Sequence, residues 1–269
     1  MSAAVERATG LRYYELSHPW GHHTPTHPGF LDTVIYRSVT IAEHGVMSQR
    51  IKMVMHNSTH VNAPLHLIPG ADGIGALPPD RFFGPGVVIG LPKQKWRLVT
   101  PEDLEGTGAD IRPGDIVILN LGWHGKYADS QEYFGEAPGL SKAAAEWLVA
   151  KRVKMVGVDT PNIDHPLATL LGPHRKGPAM RRLPRQYQDE TGRDPRDDFP
   201  EFAPAHKALL GAGIPTIENV GGDLDAVTGR RSTFHAMPWK WLEGDACVVR
   251  LVAIQDPDRC YRLGKGEAA

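Results

Sequence analysis

A chain of 269 residues that is 41% hydrophobic, with 30 basic and 31 acidic side chains, can bury a full core and carries a formal charge of −1. That balance offers no global field to recruit nucleic acid or an anionic membrane, so the expected partner is a small neutral or weakly charged molecule. Two cysteines, Cys247 in an apolar run and Cys260 further on, give no sign of a disulfide framework and point to a reducing, cytoplasmic setting. The opening MSAAVERATGLRYYELS lacks the apolar core of a signal peptide, and no stretch approaches the roughly 20 apolar residues of a membrane span.

In chain order, His18, His22, His23 and His27 fall in HPWGHHTPTHPG, whose Pro and Gly content predicts an irregular loop. A second histidine cluster, His56, His60 and His66, follows. The short, branched, apolar segments VVIGL (87–91), IVILNL (116–121), MVGV (155–158), IPTI (214–217) and CVVRLVAI (247–254) read as buried strands. Between them GLSKAAAEWLVAKRV reads as a helix capped by Ser141, and a second helix runs from about Ala205 to Leu210, after Pro204 and before a Gly-Ala-Gly stop. Alternating helices and buried strands predict an α/β chain forming one domain over 1–269. The Arg-, Asp- and Pro-rich stretch 173–200 reads as a long surface loop, either a lid over a site or a solvated excursion.

The segment His56-Asn57-Ser58-Thr59-His60-Val61-Asn62-Ala63-Pro64-Leu65-His66 concentrates three imidazoles and an amide oxygen. In an extended chain, residues 56, 58, 60 and 62 share one side, and in a helical turn 56 and 60 are neighbours, so either conformation brings two imidazoles to one cation. The same spacing also suits turn histidines bonded to backbone. Spacing alone leaves both readings standing.

This run resembles the hallmark H-x-G-T-H-x-D-x-P-x-H of the cyclase family that includes bacterial kynurenine formamidases and isatin hydrolases. Echoes of that family continue in Glu15-Leu16-Ser17-His18-Pro19, Pro28-Gly29, GDIVILNLGW, PGLSKAAAEWL and VGVDTPNID. The resemblance implies the α/β, swivelling β/β/α-type fold of that family. It also implies metal ligands at His56, His60, Asn62, His206 and Glu218, a catalytic histidine at His66, and Glu218 as either ligand or additional base. The cofactor so implied is a divalent cation, Zn²⁺ or Mn²⁺, one per subunit, in a homo-oligomer (dimer or tetramer). Two positions depart from the pattern: Ser58 replaces a glycine and Asn62 an aspartate. An asparagine oxygen is a neutral ligand and compensates less of a cation's charge.

The implied activity is hydrolysis of a small non-peptide amide, formamide, cyclic amide or lactone by metal-activated water, with His66 carrying the proton. The alternatives are a metal-dependent cyclase, lyase or isomerase on the same scaffold, and a silent metal- or ligand-binding homologue. Asp159 and Asp164 read as turn caps or as carboxylates that orient a ligand histidine. Trp20, Phe30 and Trp123 are candidates for an aromatic pocket or for the core. GAGIPTIENVGG lacks the G-x-G-x-x-G order of a dinucleotide site, and no serine sits in a G-x-S-x-G context.

Overall fold

The computed structural model describes residues 4–5, 9–172 and 181–258. Ten strands form its main sheet: β1 (Ala4–Val5), β2 (Arg12–Glu15), β3 (His60–Asn62), β4 (Phe83–Gly90), β5 (Ile116–Asn120), β6 (Met155–Val158), β7 (Thr216–Glu218), β8 (Arg231–His235), β9 (Ala246–Val248) and β10 (Val252–Gln255). Their order is β1-β2-β10-β8-β4-β5-β6-β7-β3-β9. The central β4-β5-β6-β7 pairings are parallel and the flanking ones antiparallel. A separate two-stranded hairpin, Val34–Val39 with Ser48–Lys52, leaves Tyr36 and Ile51 exposed.

The segment 247–254, expected as one strand, is two. β9 and β10 stand seven places apart in the sheet order yet are joined by only Val249, Arg250 and Leu251. On a flat sheet that separation is roughly 34 Å at the usual strand spacing, whereas three extended residues reach roughly 10 Å. The sheet therefore has to curl until its two sides nearly meet. Hydrogen bonds at the seam hold the curl: Val249 N donates to Thr59 O at 3.1 Å, Leu16 N to Leu251 O at 2.9 Å, and Gly221 N to Leu16 O at 2.9 Å.

Strands inside such a sheet need apolar residues on both faces. Ile116 and Ile118 of β5 join the core within the curl with Leu16, Val61, Ile217 and Phe234. Their neighbours Val117 and Leu119 face a second core. There they meet α1 (Lys142–Ala150), capped by the Ser141 hydroxyl on Ala144 N at 3.1 Å, and α3 (Pro204–Gly211).

The stretch 173–200 is corrected over its described part. Leu183–Thr191 form a helix, α2, and Pro195–Asp198 a further turn capped by Asp194. Leu183, Tyr187 and Phe199 are buried in a third cluster with Trp96, Trp123 and Phe134, and Tyr187 Oη donates to Asp198 Oδ2 at 2.6 Å. The i, i+4 pair Leu183 and Tyr187 was the signal, diluted by charged residues on the other face. Residues 173–180 of the expected loop lie outside the described residues.

His165 belongs to this cluster. Its ring stacks on Phe199 with centroids 4.0 Å apart, and its Nδ1 accepts from Leu167 N at 3.1 Å. Full burial lowers its pKa to about 3. The unfolded chain takes up this proton below its ordinary pKa of about 6.5 while the folded chain refuses it, so stability falls as pH drops from 6.5 towards 3. From pH 7 to pH 5 this one group should remove about 2 kcal/mol. His165→Asn keeps a capping acceptor and should show that much less pH dependence in urea melts at the two pH values; equal dependence in both proteins would refute the assignment.

Candidate metal and hydrolytic site

Strand β3 is three residues long and fully buried, and its two neighbours supply the rest of the site. Glu218 of β7 lies opposite His60, and Thr216 opposite Asn62. On the other side β9 places Val248 opposite His60 and Ala246 opposite Asn62. Helix α3 contributes His206 from its first turn. His60, Asn62, His206 and Glu218, distant in sequence, thus converge at the ends of adjacent strands.

The geometry around Glu218 sets acceptors against an anion. His60 Nδ1 is engaged by Ser58 O at 2.8 Å, and His206 Nδ1 by Asp164 Oδ2 at 2.8 Å. Protons held there leave the lone pairs on the two Nε2 atoms, which stand 3.1 Å from Glu218 Oε2 and 3.2 Å from Oε1, with Asn62 Nδ2 also 3.3 Å from the His206 nitrogen. The buried His60 Nε2 and Asn62 Oδ1 have no hydrogen-bond partner. Lone pairs directed at a carboxylate are repulsive unless a proton or a cation lies between, so this donor set fits a divalent metal ion. In its absence protons take that place: burial opposes charge on His206, yet Glu218 and Asp164 together raise its pKa to about 10. Burial alone would raise Glu218, but His206 and His60 hold it well below the usual carboxylate range.

Asp164 is a helix cap and also bonds the His206 ring. Its oxygens accept from Ala205 N at 2.7 Å and His206 N at 3.1 Å, capping α3, and it fixes the His206 ring. Asp159 is a turn cap, accepting from Leu121, Trp123 and His124 N–H groups.

His56 and His66 lie beside the Glu218 cluster, the His56 ring 5.3 Å from that of His60 and the His66 ring 6.0 Å from that of His206. They face each other with ring centroids 4.2 Å apart, and both meet a residue the sequence reading missed, Asp245. His56 Nε2 is 2.7 Å from Asp245 Oδ2, and His66 Nδ1 is 3.7 Å from the same oxygen. These three ligand atoms lie within 4.8 Å of one another. Asp245 precedes the edge strand β9, and nothing in GDAC marks it as a site residue without the pairing to β3. Hydrogen bonds to His56 and then His66 hold its carboxyl well below its ordinary pKa. Burial lowers the His66 pKa, which favours the neutral imidazole.

Both clusters open into one cavity of ≈ 520 Å³, whose walls include Phe30, Val54, Phe134, Phe202 and His27. Phe30 is thus a pocket residue, whereas Trp123 is buried in the third core cluster and Trp20 lines a different cleft. His27 was not singled out among the N-terminal histidines; burial takes its pKa down to about 4. Ser58, at the position where the resemblance has glycine, adopts φ 54°. That left-handed backbone costs a serine roughly 1 kcal/mol, and the Ser58 hydroxyl donates to His18 O at 3.3 Å.

The family model described as putative cyclase matches residues 14–165. The chain belongs to this family. The kynurenine formamidase of Bordetella pertussis is 31% identical to it over 176 residues, 64% of this chain and 78% of the relative. That of Bordetella avium is 30% identical over 166 residues, 61% and 76% of the two chains. The fold is that of isatin hydrolase A from Ralstonia solanacearum, with a TM-score of 0.71, 21% identity and coverage of 91% and 92%. An isatin hydrolase bound to the product analogue thioisatinate superposes with a TM-score of 0.73 at 18% identity, covering 91% and 92%. The expected α/β fold of the cyclase family is therefore present, with its sheet curled as described.

In metal-free protein, His206 should remain doubly protonated at pH 8. Asp164→Asn removes one of the two anions that favour the imidazolium, so its titration should move to lower pH. Nitrogen-detected NMR of the ring follows both, and an unmoved titration would show that Asp164 does not stabilise the charge.

Proposed function

We propose that this cyclase-family protein is a metal-dependent hydrolase of a small aromatic formamide or cyclic amide. The observation that carries the reading is the pair of imidazole Nε2 atoms facing Glu218 at 3.1 and 3.2 Å, with their Nδ1 sides already bonded, on the wall of a largely apolar cavity. The family's kynurenine formamidases and the similarity in fold to isatin hydrolases support the same bond type. His60, His206 and Glu218 would hold the cation, with Asn62 Oδ1 as a neutral donor beside them. When bound, the ion supplies Lewis acidity: it polarises a carbonyl and lets water ionise near neutral pH.

The protein's own groups do the rest. Phe30, Phe134 and Phe202 give an aryl ring an apolar surface and keep water away from it. His66, at the cavity wall and held towards its neutral form by burial, takes a proton from water and returns it to the departing nitrogen. Asn219 lines the cavity, with its Oδ1 held by Tyr133 Oη at 2.7 Å and its Nδ2 donating to Ser58 O at 2.9 Å; these bonds stiffen the wall that carries Ser58 and His60.

Chelation should abolish hydrolysis of an N-formyl aryl amine or of isatin, and Zn²⁺ or Mn²⁺ should restore it; undiminished turnover in protein shown metal-free by elemental analysis would overturn the reading. His66→Ala should lower kcat by roughly 10² to 10⁴ while metal content stays near wild type. Loss of the metal with the side chain would make His66 a ligand.

A further inference from the structure

The cavity wall carries two carboxylates among the described residues, Glu218 and Asp245. Glu218 Oε2 faces His60, and its Oε1 faces His206 while accepting from Ile163 N at 2.8 Å. Asp164, behind His206, is committed to two backbone N–H groups and to the outer nitrogen of that ring. Residue 62, in the middle of the donor set, is a neutral asparagine. A dication at this wall, surrounded by neutral imidazoles, is compensated by Glu218 to only half its charge. In a partly desolvated site an uncompensated charge is costly, and the remaining anion on the wall is Asp245.

The fold places that anion with little freedom. Ala246 of β9 pairs with Asn62 of β3, so Asp245 starts one residue beyond the partner of Asn62. Its backbone oxygen accepts from Ala63 N at 2.8 Å, and Gly244 O accepts from Ile74 N at 2.7 Å. Gly244 is packed so tightly that a Cβ there would lie 2.3 Å from the Trp241 ring. A half-buried carboxylate on a backbone fixed in this way keeps its oxygen at His56 Nε2 without being locked into a surface ion pair.

We infer that Asp245 is a metal ligand of this site, acting with His56, and that it supplies from β9 the negative charge that Asn62 on β3 does not. The 2.7 Å pair of His56 Nε2 and Asp245 Oδ2 is the binding edge, and His66, 3.7 Å from the same oxygen, is beside it for proton transfer. The assignment rests on the metal-dependent reading of the same cavity, and binding measurements separate the two.

The experiment is equilibrium titration of metal-free protein with Mn²⁺, followed by its paramagnetic resonance signal, on wild type, Asp245→Asn, His56→Ala and the double variant. Asp245→Asn should weaken Mn²⁺ binding at least tenfold or remove one equivalent. The double variant should be no worse than the weaker single one, because both changes dismantle the same binding edge. Thermal melts of the metal-free proteins should show Asp245→Asn cooperatively folded well above the titration temperature, so that a weakened or missing equivalent reads as lost binding and not as unfolding. Wild-type binding in Asp245→Asn, or losses that add in the double variant, would overturn the inference and leave the hydrolase reading intact. Failure of wild type itself to bind a divalent ion would remove both.

Discussion

Glu218, 3% exposed, forces the organisation of everything around it. A carboxylate at that depth needs hydrogen-bond donors or cations: Ile163 N donates to its Oε1 at 2.8 Å, and both oxygens face imidazole nitrogens whose opposite sides are already bonded. Satisfying it takes a histidine from β3, a histidine from the first turn of α3, a carboxylate behind that histidine, and strands in a register that puts residue 218 across from residue 60. The edge strand β9, paired directly with β3, delivers a second carboxylate to the wall, and the curl lets the chain pass from it to β10 in three residues.

Much of this could be read from residues. Apolar strands bounded by Gly and Pro, the Ser141 cap and the Pro204 start of α3 are local signals, and they emerged where local chemistry placed them. His60, His206 and Glu218 were legible through the resemblance, because their chain separation hides a proximity created by strand pairing. Asp245 was not legible: its contribution depends on β9 pairing with β3, a contact between residues far apart in sequence with no periodic trace. The break in 247–254 was equally hidden, since Val249 and Leu251 are as apolar as strand residues; what ends the strand is the distance the chain must cover.

The misreading of 183–198 has a different origin. Its composition is that of a solvated segment, but a helix needs only a narrow apolar stripe to dock, and Leu183, Tyr187 and Phe199 provide it against Trp96 and Trp123. Histidine behaves in an analogous way in this protein. His165 and His27 are held neutral by burial, while His206, equally buried, is held cationic by two carboxylates when no metal is present. Identical side chains thus take opposite charge states, and sequence position says little about which.

The three-residue link from β9 to β10 also imposes an order on assembly. During synthesis the strand bearing His60 and Asn62 emerges long before β9, its neighbour on one side, and β2 emerges long before β10, with which it pairs. Until that late hairpin-like element docks, β3 has an open edge and the cavity lacks the wall bearing Asp245. Contacts of such sequence separation carry a high loop-closure cost and fold slowly. A nascent chain therefore lacks Asp245 at the cavity wall until that docking, and its open β3 edge is exposed to mispairing while it waits.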